Sequence, residues 1–189
     1  MKVNTDGVLL GAWCSLPQSV PLERPVRVLD VGTGTGVIAL MVAQRLSSQF
    51  NNFNIAGIDP DAPSSEEAEY NFKASKWSNS LSSLPLSLKE FANTGSGCFD
   101  LIVSNPPYID GADPHLDEGD VRFEPRSALV ADEQGLADIR LIIAGAPAHL
   151  CPGGWLLLEH GWEQGAAVRQ LLLQQGYCQV ETVRDYGDN

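Results

Sequence analysis

The chain is short of the residues that build metal centres, disulfide scaffolds and nucleic-acid grips. Its four cysteines, Cys14, Cys98, Cys151 and Cys178, lie far apart and include no CxxC pair. That pattern argues against zinc and against a disulfide framework, and suits reduced thiols in a cytosol. The three histidines, His115, His149 and His160, are as scattered, so no metal site is expected. No apolar run approaches the ~20 residues of a membrane span. Residues 1–20 lack the shape of a signal peptide, because Asp6 and Pro17 interrupt any apolar run and no basic leader precedes it. These absences predict a cytoplasmic protein without membrane association. Internal repeats and low-complexity tracts are missing too.

Positive charge is also scarce. Twelve Lys and Arg stand against 24 Asp and Glu, a formal net charge of −12, and the basic residues are scattered singly. Gripping long RNA or DNA draws on neutralised phosphates, so an acidic chain favours a protein partner, unless a basic path is assembled in three dimensions.

What is present is a globular α/β pattern. Hydrophobic residues make up 43% of the 189, enough for one domain with a real core. Strands are expected at Val26–Val31, Asn54–Ile58, near Leu84–Leu88, Phe99–Ser104, Trp155–Glu159 and Gln179–Arg184. Helices are expected at Gly36–Ser47, at Ser64–Trp77 capped by Ser64 or Ser65, from about Gly135 to Leu150, and at Glu163–Gln175. Residues from Ile109 to about Val130 read as a long acidic loop. The alternation predicts an α/β fold with a doubly wound, mostly parallel sheet. It reads as a single domain, with an N-terminal segment 1–25, a cofactor half 26–104 and a substrate half 105–189.

Two stretches carry chemistry. Val28-Leu29-Asp30-Val31-Gly32-Thr33-Gly34-Thr35-Gly36 is a strand entering a glycine turn that opens a helix. A dinucleotide fingerprint would need a third glycine where Val37 stands. GxGxG is instead the spacing seen where S-adenosylmethionine lies against the turn, which makes Asp30, Gly32, Thr33, Gly34 and Gly36 cofactor-binding candidates. Some 20 residues on, the second strand ends at Asp59, whose carboxylate can take two ribose hydroxyls. The second stretch, Asn105-Pro106-Pro107-Tyr108, follows the fourth strand. The Asn105 side-chain oxygen and the Pro106 carbonyl can accept both hydrogens of a planar NH2 group, and Tyr108 offers a ring for that group to stack on. Each motif has a plainer reading: a tight turn, a turn-forming Asp, a Pro-rich stop after a strand. Their order in one sheet singles out an S-adenosylmethionine-dependent N-methyltransferase, with Asn105, Pro106 and Tyr108 as catalytic candidates, Pro107 completing the substrate contact and Asn105 also counted among the cofactor-binding residues.

Two resemblances divide the chain. Asn105–Asp110, Asp113–Leu116, Gly119–Pro125 and Leu156–Trp162 closely resemble the bacterial HemK-type release-factor glutamine methyltransferases. Met1–Trp13, the glycine loop and Ala74–Trp77 are similar to bacterial tRNA (valine) adenine-N6 methyltransferases. Both families imply a Rossmann-like class I methyltransferase fold and the same cofactor, and together they imply a hybrid joined between Leu88 and Pro106. Three departures follow from the first resemblance: no N-terminal helical domain, an apparently missing last antiparallel strand, and Ser87 where an acid often contacts the cofactor adenine, with Leu88 beside it. The substrate expected first is a glutamine amide in a peptide chain release factor. The alternatives are an adenine amine in tRNA, or a cofactor-binding but inactive remnant. Without a last strand, Trp155–Glu159 is expected either to pair with Gln179–Arg184 or to take a strand from a second chain in a homodimer.

Overall fold

The computed structural model describes residues 5–17, 20–21, 23–112 and 128–183. The apolar runs form strands, as parallel strands covered on both faces require. β1 (Val26–Val31) has Val28, Leu29 and Asp30 fully buried, and β4 (Phe99–Ser104) is buried along its whole length. With β2 (Phe53–Ile58), β3 (Leu81–Leu84) and β7 (Leu150–Leu158) they make one sheet in the order β3-β2-β1-β4-β7, every pair parallel. Helix α2 (Val37–Leu46) links β1 to β2, α3 (Ala62–Ala74) links β2 to β3, and the short α4 (Leu88–Phe91) precedes β4. The doubly wound sheet expected from the sequence is therefore present.

Helix α1 (Thr5–Trp13) was not anticipated within residues 1–25. It lies against α2, where Gly11 lets the backbone approach Met41: a Cβ on Gly11 would sit 3.0 Å from that side chain. The Arg45 guanidinium closes its C-terminal end, donating to the Gly11 carbonyl at 3.0 Å and reaching the buried Cys14 sulfur at 3.1 Å. Burial pushes the Cys14 thiol up, against the opposing pull of Arg45.

The chain forms two compact units. The first, Met1–Asn105 with Ala146–Glu159, holds the five-stranded sheet. The second is Pro106–Gly145 with His160–Asn189. It contains β5 (Ile109–Asp110) paired in parallel with β6 (Val130–Ala131), the single turn α5 (Asp132–Gly135), α6 (Ala137–Gly145) and α7 (Gly165–Gln174). Linear halves of 26–104 and 105–189 miss the return of the chain to the first unit for β7.

Other departures have local causes. β3 ends at Leu84, before Pro85, which lacks the N–H a ladder needs. Asp61 rather than Ser64 or Ser65 caps α3, its carboxylate accepting the Ser64 amide at 3.0 Å. β7 begins at Leu150 and runs through Pro152-Gly153-Gly154, absorbing them in a register shift opposite Phe99 and Leu101. Residues 179–183 form no strand, and among the described residues β7 pairs with β4 alone in its sheet. Residues 113–127, with His115 and most of the acidic loop, lie outside the described residues, as does Arg184.

Cys98 and Cys151 are joined in a disulfide, against the expectation of reduced thiols; Cys14 and Cys178 are free. The pair is 53 apart in sequence, yet the β4–β7 pairing sets Phe99 opposite Leu150 and so brings the sulfurs together. On loop entropy alone a cross-link of this span stabilises by about 4 kcal/mol.

Beside it, Arg24 grips Asp100 with two hydrogen bonds, at 2.7 and 2.5 Å, and the Arg27 amide donates to the same carboxylate at 2.9 Å. Burial alone would raise the Asp100 carboxyl, but Arg24 and Arg27 outweigh it and hold it below the usual range. A depressed folded value adds stability that is complete above the unfolded value of about 3.9 and is lost as pH falls through the folded one. Circular-dichroism melts of Asp100→Asn should show a lower midpoint than the parent at pH 7 and a weaker further loss on acidification below about 4. An acid slope identical to the parent's would place that loss elsewhere.

Candidate functional site

Strand order reverses at β1, with β2 and β3 to one side and β4 and β7 to the other. Loops leaving neighbouring strand ends at such a point diverge and open a crevice, where open α/β sheets bind ligands. Leu84, Ile58, Val31, Ser104 and Leu158 form one register row across the sheet. The next residues are Pro85, Asp59, Gly32, Asn105 and Glu159. The cofactor candidates Gly32 and Asp59 thus leave the sheet beside Asn105. Ser104, wholly buried, fastens the row by donating its hydroxyl to the Val31 carbonyl at 2.6 Å.

The glycine loop needs its glycines. Gly32, Gly34 and Gly36 have φ of 72°, 54° and 81°, the left-handed region that a Cβ disfavours. Several loop amides already have partners. Gly32 and Thr33 donate to the Ile58 carbonyl at 2.8 and 3.0 Å, Gly36 to the Thr33 carbonyl at 2.8 Å, and Gly34 to the Asp59 carboxylate at 3.0 Å. A loop so engaged is poorly suited to cradling a pyrophosphate. It presents instead a bare face at Gly32, where an added Cβ would meet nothing within 4 Å. Behind the loop the packing is tight: a Cβ on Gly36 would lie 2.4 Å from the Phe72 ring, and one on Gly57 would lie 2.7 Å from the Thr33 hydroxyl. Asn71 steadies the turn by donating to the Thr35 carbonyl at 2.9 Å. Gly57, Asn71 and Phe72 carry no sequence signal for this role, because each acts across strands or helices distant along the chain.

Two carboxyls lie beneath the loop. Burial raises Asp30 to about 7, against the opposing Thr33 hydroxyl, which donates to it at 2.8 Å. Its other oxygen, Oδ1, is buried with no partner in strict hydrogen-bond geometry, while the Ala39 amide is near enough to the carboxyl to favour its charged form. Asp59 is raised as well, mainly by burial, although the Asp61 and Gly34 amides oppose the shift. Each Asp59 oxygen accepts one amide, from Asp61 at 2.9 Å and Gly34 at 3.0 Å, and a carboxylate has lone pairs beyond those two. The open face at Gly32 and the spare acceptor capacity of Asp59 fit a ligand bearing a ribose.

Ser87 caps α4, exchanging hydrogen bonds with Glu90 in a capping box, and Leu88 is the first residue of that helix. The Ser87 hydroxyl is thereby engaged in a helix cap. Asn105, the last residue of its segment of the first unit, is half-buried; in the second unit Pro106 is buried and Pro107 and Tyr108 are half-buried. His149 is buried beside Phe91, and burial lowers its pKa. Among the described residues no group of three His, Cys, Asp or Glu is placed to hold a metal ion. Hollows of about 300 and 360 Å³ occur elsewhere, one lined by Arg27, Asn54 and Phe99, the other by Glu66, Tyr70 and Pro85. Neither includes the glycine loop, so residue chemistry locates the site.

Residues 15–120 match the model of the methyltransferase small domain. The chain belongs to that family. S-adenosylmethionine is the cofactor that the family and this loop indicate. Release factor glutamine methyltransferases of Salmonella typhimurium and Escherichia coli are each 50% identical to it over 190 residues, covering 100% of this chain and 64% of theirs. The chain thus spans less than two thirds of the length of these relatives. Their similarity runs through the first half too, so the likeness of that half to the tRNA enzymes does not require a joint between two families. Among solved structures, the catalytic domain of hMettl16 in complex with a 3'UTR hairpin superposes with a TM-score of 0.56 at 17% identity, covering 89% of this chain and 69% of that one. A putative methyltransferase from Thermoplasma acidophilum gives 0.54 at 13% identity, covering 88% and 64%. Both support the fold of this methyltransferase domain.

The raised Asp30 has a pH signature. Between about 4, where an unfolded Asp ionises, and about 7, the folded chain keeps a proton that the unfolded chain has lost. Stability from this group therefore falls as pH rises through that window. Relative to Asp30→Asn, the ligand-free parent should lose thermal midpoint from pH 4 to pH 7, and parallel profiles for the two proteins would contradict the burial argument.

Proposed function

We propose that this domain transfers a methyl group from S-adenosylmethionine to a planar NH2 nitrogen, the side-chain amide of a glutamine in a peptide chain release factor, in the cytoplasm. The observation carrying this reading is the register that sets Asn105 beside Gly32 and Asp59. The half-identical relatives named for release factor glutamine methylation support the choice of acceptor.

When bound, S-adenosylmethionine supplies an electrophilic methyl group on a sulfonium. Asp59 would accept the ribose hydroxyls, and the glycine loop would lie against the ligand at Gly32. The acceptor nitrogen is a poor nucleophile because its lone pair is delocalised into the amide. The Asn105 side-chain oxygen and the Pro106 carbonyl each accept one N–H, which favours pyramidalisation and aims the lone pair. Tyr108 flanks the plane of the amide. Positioning and stabilisation of the charge developing on nitrogen then carry the reaction: the N–CH3 bond forms as the S–CH3 bond breaks, S-adenosylhomocysteine leaves, and the cationic nitrogen releases its proton to water, with no strong base required. The first-half likeness to tRNA adenine-N6 enzymes sustains a second acceptor, an adenine amine. The acidic balance of the chain weighs against it.

Two outcomes are expected. Calorimetry on Asp59→Ala should show S-adenosylhomocysteine binding weakened by about 1–3 kcal/mol, the cost of losing hydrogen bonds to a charged acceptor; unchanged affinity would misplace the ribose. With purified release factor, and tRNA as the competing acceptor, Asn105→Ala should lower methyl-transfer turnover by about 100-fold while cofactor affinity stays near the parent's. Parallel loss of turnover and affinity would contradict the assignment of Asn105 to the acceptor nitrogen. Transfer to tRNA alone would overturn the choice of substrate.

A further inference from the structure

We propose that Gln164 is a positioning residue that fixes the Asn105-Pro106-Pro107-Tyr108 turn by clamping the Tyr108 carbonyl. The inference rests on the function proposed above and concerns a side chain that no sequence motif singles out. Gln164 directly precedes α7, and its amide engages three separate backbone segments of the second unit. Its Oε1 accepts the Gly161 amide at 2.8 Å, and its Nε2 donates to the Tyr108 carbonyl at 2.9 Å and the Gln134 carbonyl at 3.1 Å. Both amide hydrogens are used. The orientation is unambiguous, because a flipped amide would set its oxygen against two carbonyls and its NH2 against an N–H.

The segment on the far side of this clamp is itself unusual. Glu133 and Gln134 have φ of 55° and 60°, and Gly135 follows at 79°. Successive left-handed residues that carry a Cβ are disfavoured and persist where surrounding structure over-determines them. Gly135 supplies the reason for the third. A Cβ there would lie 2.0 Å from the Tyr108 oxygen and 2.7 Å from Gln164 Nε2. The Tyr108 carbonyl is thus seated against a bare backbone on one side and bonded by Gln164 on the other. Downstream, the Ile109 amide donates to the Leu129 carbonyl at 2.9 Å, and β5 pairs with β6.

The consequence is for the acceptor geometry. Asn105 is fixed from its N-terminal side by β4, and Tyr108 from its C-terminal side by Gln164. Between them lie only Pro106 and Pro107, whose rings fix φ. Within the second unit, Pro106 and Pro107 are therefore held from the Tyr108 side, and the Tyr108 carbonyl is taken up by the clamp rather than offered to a substrate N–H. A misplacement of this turn by a fraction of an ångström would degrade alignment of the acceptor amide without touching the cofactor loop.

The test compares the full chain with Gln164→Glu, which keeps the acceptor for Gly161 and loses the donors, and with Gly135→Ala, whose Cβ would press on both the Tyr108 oxygen and Gln164 Nε2 and so disturb the same clamp from its other side. Hydrogen exchange of the Ile109 amide should accelerate about tenfold in both variants, by local opening of the turn. Turnover on an acceptor peptide carrying the release-factor glutamine should fall about tenfold or more, with KM for the peptide and Kd for S-adenosylmethionine within about twofold of the parent. Unchanged exchange in both variants, or turnover falling together with KM, cofactor affinity and thermal midpoint, would overturn the role of Gln164. A parent that transfers no methyl group to the release factor would instead sink the proposed function.

Discussion

Because β1 is paired in parallel with β2 on one side and β4 on the other, a single register row decides where the chemistry-bearing residues emerge. Ile58, Val31 and Ser104 are that row, and Asp59, Gly32 and Asn105 are each one step beyond it. A slip of one residue in either pairing would turn that strand's side chains to the opposite face and carry its loop out of line. The wholly buried Ser104 hydroxyl on the Val31 carbonyl, and the Ile58 carbonyl accepting two amides of the glycine loop, hold the row where it meets the crevice.

The buried carboxyls of the first unit differ by their partners. Asp100 has a bidentate guanidinium and a backbone amide, and is held low despite burial. Asp30 has a neutral hydroxyl and an orphaned oxygen, and burial drives it to about 7. The same residue type is thus held low at one end of β4 and driven high beneath the glycine loop. An ion pair at the base of the sheet secures the segment before β1, whereas the carboxyls beneath the loop have only neutral partners, so burial raises them.

The second unit shows a different economy, with short β5 and β6, a left-handed turn at Glu133–Gly135 and one side-chain amide that bridges three backbone segments. Left-handed residues that carry a Cβ persist where surrounding structure over-determines them, and here the Tyr108 carbonyl and Gln164 do so.

Local rules account for what was legible in the chain. Burial on both faces makes a parallel strand a continuous apolar run, so β1 and β4 could be bounded to the residue at Val26–Val31 and Phe99–Ser104. Left-handed turns select glycine, so the GxGxG loop announced itself, and prolines after an Asn marked the end of β4. Where local signals competed, the bounds moved: Pro85 shortened β3, and Pro152-Gly153-Gly154, which read as a turn, was absorbed into β7. What only the tertiary structure decided is contact between residues distant along the chain. It brought Cys98 to Cys151, Gly36 to Phe72, Thr33 to Gly57 and Gln164 to Tyr108. None of these pairs has a periodicity or a spacing to read, because each is fixed by strand register and helix packing rather than by the preferences of neighbouring residues. The sequence by itself determined which residue types stand ready for methyl-transfer chemistry; the pairing of β1 with β2 and β4 decided that Gly32, Asp59 and Asn105 stand together.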